Sequence, residues 1–173
     1  MPSQYTKKSQ LNDSIERMVS ILVRYAEINT IKTDPKAKEI TFSFLVREEL
    51  SQEKFKTLKE KLNNNLEALL FLENKESGTL RFNLESHAEC SYVEISRDFG
   101  SVGQRELSLL TQLIKDEFGD KLLIESNPKR KNKELKAQEE VIENLMEGLI
   151  EHRDDLIGYR EAGKVKVFQK SGV

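Results

Sequence analysis

Residues 40–55, ITFSFLVREELSQEKF, and residues 92–107, YVEISRDFGSVGQREL, carry the pattern that decides the fold. Each runs from an alternating strand, through an Arg followed by an acid (Arg47-Glu48, Arg97-Asp98) and a polar turn, into a helix start. Apolar side chains at every second position put one face of a strand into a core. In the first copy these are Ile40, Phe42, Phe44 and Val46, with Thr41 and Ser43 opposite. Ser51 is placed to cap the following helix, Glu53 sits in its first turn where the helix dipole favours an anion, and Leu50 and Phe55 suit a hydrophobic staple. Phe55, Leu58, Leu62, Leu66 and Leu69 form its apolar stripe. In the second copy Ser101 to Gln104 matches the S-x-x-[EQ] capping box. Leu107, Leu110, Leu113, Ile114 and Phe118 mark the buried side, and Gly119 is the expected stop.

Working outward, LRFNLE at 80–85 and CSYVEISR at 90–97 alternate on either side of SHAE and predict a hairpin, and KLLIE at 121–125 predicts a short strand. The order from Glu39 to Glu125 is then β-α-β-β-α-β. Upstream, Ile15, Met18, Val19 and Leu22 fit a helical face while Ile21, Val23 and Tyr25 fit a strand. The alternation continues to Ile31, and Asp34-Pro35 starts a turn into residue 40. The expected class is α+β: a ferredoxin-like βαββαβ sheet-and-two-helix domain with an extra N-terminal strand over residues 15–126. Residues 1–14 are expected to be a flexible arm, and NPKRKNKELK marks a basic linker over 127–136. Residues 137–173 predict a helix with Val141, Ile142, Leu145 and Leu149 on one side, then a hairpin around Gly163. Such an extension is too small to bury a core alone, so it should dock on the first unit or on another chain.

The 173 residues are 37% hydrophobic and 34% charged, leaner and more ionic than the roughly 45–50% apolar and 25% charged of an average domain. Lys plus Arg is 28 against 30 Asp plus Glu, a net charge of -2. That balance supplies no global field for nucleic acid or for a membrane. Apolar runs such as Leu69 to Leu72 fall far short of the ~20 residues a spanning helix needs, and MPSQYTKKSQ leads into no signal-type segment, so a cytoplasmic protein is expected. A single cysteine, Cys90, excludes an internal disulfide. With only His87 and His152 beside it, a classical zinc cluster is excluded as well. No metal or cofactor is expected.

Three segments are chemically suggestive. Gly100, Ser101, Gly103 and Gln104 lie between a strand and a helix N-terminus, where backbone N–H groups take phosphate or carboxylate, so they are candidate small-ligand residues. Lys129, Arg130, Lys131, Lys133 and Lys136 are candidate contacts to a nucleic-acid backbone, although the acidic stretch from Glu139 to Asp155 offers them an intramolecular clasp. Val141, Leu145 and Leu149, joined by Ile142, Met146 and Ile150, form a stripe wide enough to meet a protein partner or a second copy. Asp98-Phe99-Gly100 spells a kinase motif without the Gly-rich loop or H-R-D that give it meaning. His87, Glu89 and Cys90 share a turn with no oxyanion donor. RNP-type recognition needs aromatics flanked by basic residues on the strand that carries SYVEISR, where Tyr92 stands alone beside Glu94.

At the level of whole segments, VRYAEINTIKTDPKAKEITFSFLV and LIGYREAGKVKVF resemble an uncharacterised family of conserved proteins from spore-forming anaerobic Gram-positive bacteria. The resemblance implies a bacterial cytoplasmic origin and brings no activity or site residue with it. The expectation is therefore a non-enzymatic interaction or regulatory module, the alternatives being a nucleic-acid or ribosome-associated protein using 129–136 and a small-anion or metabolite sensor at 100–104.

Overall fold

A computed structural model of the chain describes residues 15–98, 101–124, 155–161 and 164–169. The described residues form an α+β structure with three α-helices on one six-stranded antiparallel sheet. The elements are α1 (residues 15–24), β1 (Thr30–Asp34), β2 (Glu39–Val46), α2 (Gln52–Leu72), β3 (Leu80–His87), β4 (Cys90–Asp98), α3 (Gln104–Phe118), β5 (Leu156–Glu161) and β6 (Lys164–Gln169). The order across the sheet is β3-β4-β2-β1-β5-β6.

Local chemistry explains the boundaries. Asp34 Oδ1 accepts from the N–H groups of Lys36 and Ala37 at 3.0 and 3.1 Å, turning β1 into β2. Ser51 Oγ accepts from Lys54 N at 3.1 Å and caps α2 as expected. Ser101 does not cap α3. The N-cap is Gly103, and the Ser101 hydroxyl is drawn 2.8 Å away to Asp98 Oδ2 by a stronger, charged acceptor. The α2 stripe is Leu58, Leu62, Leu66 and Leu70, because a strict spacing of four carries the buried row past Leu69. Residues 15–24 are helical, which settles the double periodicity there: Met18, Ile21 and Leu22 are all fully buried.

One row runs straight across the covered face of the sheet: Phe82, Ile95, Phe42, Ile31, Gly158 and Val167 are successive register partners. All three helices pack on this face. α3 lies between the other two, tied to α2 by Lys61 and Glu117 at 3.2 Å and to the end of α1 by Tyr25 Oη and Ser108 Oγ at 3.0 Å. α1 lies over β5, where a Cβ on Gly158 would stand 3.0 Å from Leu22 Cδ1 and 3.2 Å from Met18 Cε. Glycine is what lets helix and strand approach this closely.

The strand expected at 121–125 is reduced to a 3₁₀ turn over Gly119–Lys121 and one bridge, Leu122 to Val46. β1 occupies the same edge of β2, pairing with residues 39–43, while Leu123 N reaches Leu45 O at 2.9 Å. Two segments thus share one edge, and the hydrogen bonds β1 takes leave the later segment none beyond that point. The C-terminal hairpin joins this sheet through β1, with Leu156 buried and its N–H donated to Thr33 Oγ1 at 2.7 Å. The basic run 129–136 and the stripe of Val141, Leu145 and Leu149 lie outside the described residues.

Candidate functional site

Side chains alternate across a strand, so the residues between those of the covered row point to the opposite face. Registers assemble them into two further rows. One is Arg81, Ser96, Thr41, Lys32, Ile157 and Phe168; the other is Asn83, Glu94, Ser43, Thr30, Tyr159 and Lys166. Leu45 and Tyr92 are partners beyond the second row. Among the described residues no helix packs on this face.

The face has two chemically different ends. Over β2, β3 and β4 it is a self-satisfied polar network: Thr41 and Ser96 share a hydrogen bond of 2.7 Å, and Thr30 and Ser43 share another. Asn83 donates to Glu94 at 3.0 Å, Lys32 approaches the same carboxylate at 3.6 Å, and Arg81 pairs with Glu39. Over β5 and β6 it becomes aromatic and basic. The rings of Tyr159 and Phe168 stack at 5.7 Å with an interplanar angle of 21°, and Phe168 is 52% exposed. Lys164, Lys166 and Lys32 lie on the same face around them. Ring pairs of this kind offer large area with little conformational entropy to lose, and they favour interfaces.

The expected ligand loop is partly described. Ser101, Gly103 and Gln104 lie at the start of α3, where no side chain caps the helix, and Gly100 lies outside the described residues. Lys75 Nζ would stand 3.6 Å from a Cβ on Gly103. Two carboxyls crowd the same corner. Asp98 accepts from Thr79 N at 3.2 Å and from Ser101, and Glu106 is buried against Arg97. Burial pushes the Glu106 carboxyl up from its ordinary range, with Arg97 pulling the other way. Gly78, at φ +56°, folds the approach to β3 so closely over Asp98 that a Cβ would be 2.5 Å from Oδ1. The corner is a structural knot rather than an open cradle, and Asp98 of the D-F-G triplet is committed to it. Cys90 Sγ donates to the His87 carbonyl at 3.3 Å instead of facing the imidazole, which stands edge-on to Tyr92.

Ile157 and Tyr159 on β5 and Val165 and Val167 on β6 are apolar or aromatic residues of the C-terminal hairpin. The register separates them: Gly158 faces α1 with Val167, and Ile157 and Tyr159 face outward with Phe168 and Lys166. The glycine between two apolar residues was the available signal, since a strand that is covered on one side needs a side chain there unless something approaches closely. No helix among the described residues is long and apolar enough to cross a membrane. Against known proteins, no family model, no curated protein and no solved structure matches the chain.

Proposed function

We propose that this chain is a non-enzymatic interaction module, a ferredoxin-like unit whose fourth-strand position is shared by β1 and residues 121–123 and whose sheet is extended by the C-terminal hairpin. Its binding surface is the outward face of that sheet, centred on β5 and β6. The observation that supports this is the stacked pair Tyr159 and Phe168 beside Ile157, on a face with no helix over it among the described residues. The resemblance to a bacterial family supports a cytoplasmic setting, where the partner is a protein. The spacing of Val141, Leu145 and Leu149, which lie outside the described residues, makes them a second candidate for contact with a partner or another copy of the chain.

The test is cross-linking of the native chain in its own cells, beside a Tyr159→Ser, Phe168→Ser variant with an unchanged melting temperature. A partner cross-linked to the native chain and lost in the variant supports the proposal, and equal cross-linking in both removes this face as the surface.

A nucleic-acid role is the second reading, favoured by exposed rings among Lys32, Lys164 and Lys166, because bases stack on aromatics while cations hold the phosphates. Lys129, Arg130, Lys131, Lys133 and Lys136, outside the described residues, are the sequence's other candidate phosphate contacts. Titrating labelled single-stranded RNA and DNA at two salt concentrations separates the readings, since a phosphate-binding surface loses affinity steeply with salt.

A further inference from the structure

β3 is the last strand on its side of the sheet, and among the described residues no strand pairs with its outer edge. The two-residue turn at Ala88-Glu89 closes β3 and β4 on the pair His87 and Cys90, which fixes the direction of every peptide group along the strand. Arg81, Asn83, Glu85 and His87 turn their N–H and C=O groups to β4. Leu80, Phe82, Leu84 and Ser86 turn theirs outward, along an edge of 8 residues without proline or bulge. Sheets usually blunt such an edge with lysines or a proline. The opposite edge is blunted in this way, since β6 carries Lys164 and Lys166 and no acid. β3 instead carries one charge of each sign on its outward face, Arg81 and Glu85.

The side chains at this edge are as open as its backbone. Val93 and Ile95 on β4 are fully buried beneath the helices, whereas Leu80, Phe82 and Leu84 on the same face of β3 are only partly covered. Phe71 and Leu72, on the last turn of α2 that leads into β3, are 84% and 81% exposed. Apolar surface gathered along an open strand edge marks a contact.

A second copy of β3 fits this edge in one register. Antiparallel pairing about a two-fold axis at Asn83 sets Phe82 opposite Leu84 and Leu80 opposite Ser86, the residues whose peptide groups point outward, so each pair exchanges both hydrogen bonds. Between them Arg81 of each copy stands opposite Glu85 of the other. Opposite charges at directly facing positions favour a strand pair, and like charges disfavour it. Both side chains are more than half exposed; Arg81 gives Nη2 to Glu39, which leaves other donors of its guanidinium for a second carboxylate, and Glu85 has His87 Nε2 at 3.6 Å. Sliding the pair by two residues in either direction sets Arg81 against Asn83 or His87, and the charge match is gone.

We infer that β3 is a self-association edge: two copies of this chain join β3 to β3 across a two-fold axis, and their sheets become one continuous sheet with the helices of both on the same face. Charge complementarity selects the occupant, because an edge with this spacing of opposite charges is its own complement. β5 and β6 fall at the two far ends of the joined sheet, so the contact is independent of the outward face proposed as the binding surface.

Two experiments on the full chain test this. In sedimentation the native chain is expected at twice its 20.0 kDa. Glu85→Arg and Arg81→Glu are each expected at the single mass, because each sets like charges opposite one another on both sides of the axis. Mixed in equal amounts they are expected to recover the double mass, since every facing position then holds one acid and one base. A native chain at its single mass, variants that stay paired, or a mixture that stays unpaired overturns the inference. Independently, in a Cys90→Ser background, Asn83→Cys brings two thiols together at the axis, where facing Cα atoms about 4.5 Å apart suit a disulfide. Diamide is expected to link Asn83→Cys into dimers and to leave Arg81→Cys unlinked. Equal linking of the two variants, or no linking of either, overturns it as well.

Discussion

Arg97 and Glu106 meet where water is excluded, the guanidinium fully buried and the carboxyl 3% exposed. Arg97 Nε and Nη2 both donate to the carboxylate, and Nη1 donates to the carbonyls of Ser77 and Thr79, the latter at 2.6 Å. One side chain thus ties β4, α3 and the approach to β3 together. Removing one member of such a pair leaves the other buried and uncompensated. Arg97→Met is expected to cost about 3–5 kcal/mol and Glu106→Gln less, about 1–3 kcal/mol, both read by urea unfolding. Equal stability for Arg97→Met and the native chain would show that the pair holds nothing.

Glu106 and Glu48 are expected to respond to pH with opposite signs. Burial raises the Glu106 pKa in the fold, so the native state holds that proton more tightly than the unfolded chain. Its contribution is complete below the unfolded pKa and is lost as pH rises through the folded one. Glu48 accepts hydrogen bonds from Lys54 and from Lys121, at 3.2 Å for the second, and these lower its pKa. Its contribution is present above the unfolded pKa and is lost as pH falls through the folded one. Unfolding curves should show the native chain gaining on Glu48→Gln as pH rises from strongly acidic values up to the ordinary carboxylate range, and losing ground to Glu106→Gln as pH rises above that range. Parallel profiles for the two variants would contradict this.

Gly78 is expected to tolerate no side chain. Its φ of +56° is unfavourable for any L residue, and a Cβ would meet Asp98 Oδ1 at 2.5 Å and Ser101 Oγ at 2.7 Å. Gly78→Ala should cost at least the ~1–2 kcal/mol of the backbone conformation, with the excess reporting the displaced Asp98. A thermal melt of Gly78→Ala that matches the native chain would refute the account.

Arg160 closes the end of α1, donating to the carbonyls of Leu22, Tyr25, Ala26 and Ile28, the second at 2.9 Å and the third at 3.2 Å. A cation here satisfies the last acceptors of the helix and opposes its dipole. Arg160→Met is expected to cost about 1.5–3 kcal/mol, the range for hydrogen bonds to a charged group. Amide exchange over residues 15–24 should accelerate while α2 keeps its protection. Uniform acceleration across both helices would mean that the contact supports the whole fold and not this helix.

Elements defined by local chemistry were legible in the sequence. The Asp34 turn, the Ser51 cap, the stop at Gly119 and the two central hairpins each depend on residues within a few positions of one another. Features that depend on distant partners were not. Ser101 looks like a cap until Asp98 competes for its hydroxyl, and KLLIE looks like a strand until β1 is found on the edge it needs. The outward face of β5 was equally hidden, because an apolar residue in a strand does not say which side the helices will take. Only the register through Ile31 and Gly158 assigns that.

The pairing of β1 with β5 sets a timetable for biosynthesis. Ile31 leaves the ribosome early and finds Phe42 on one side almost at once, through a tight turn. Its other neighbour, Gly158, lies far downstream. At ~5–20 residues per second the nascent chain presents that half-made edge for on the order of ten seconds. Throughout that interval Met18 and Leu22 have no strand beneath them. Until residue 158 has emerged, a newborn chain of this protein thus carries an unpaired strand edge at β1, and stalling between Glu125 and Leu156 would prolong that state.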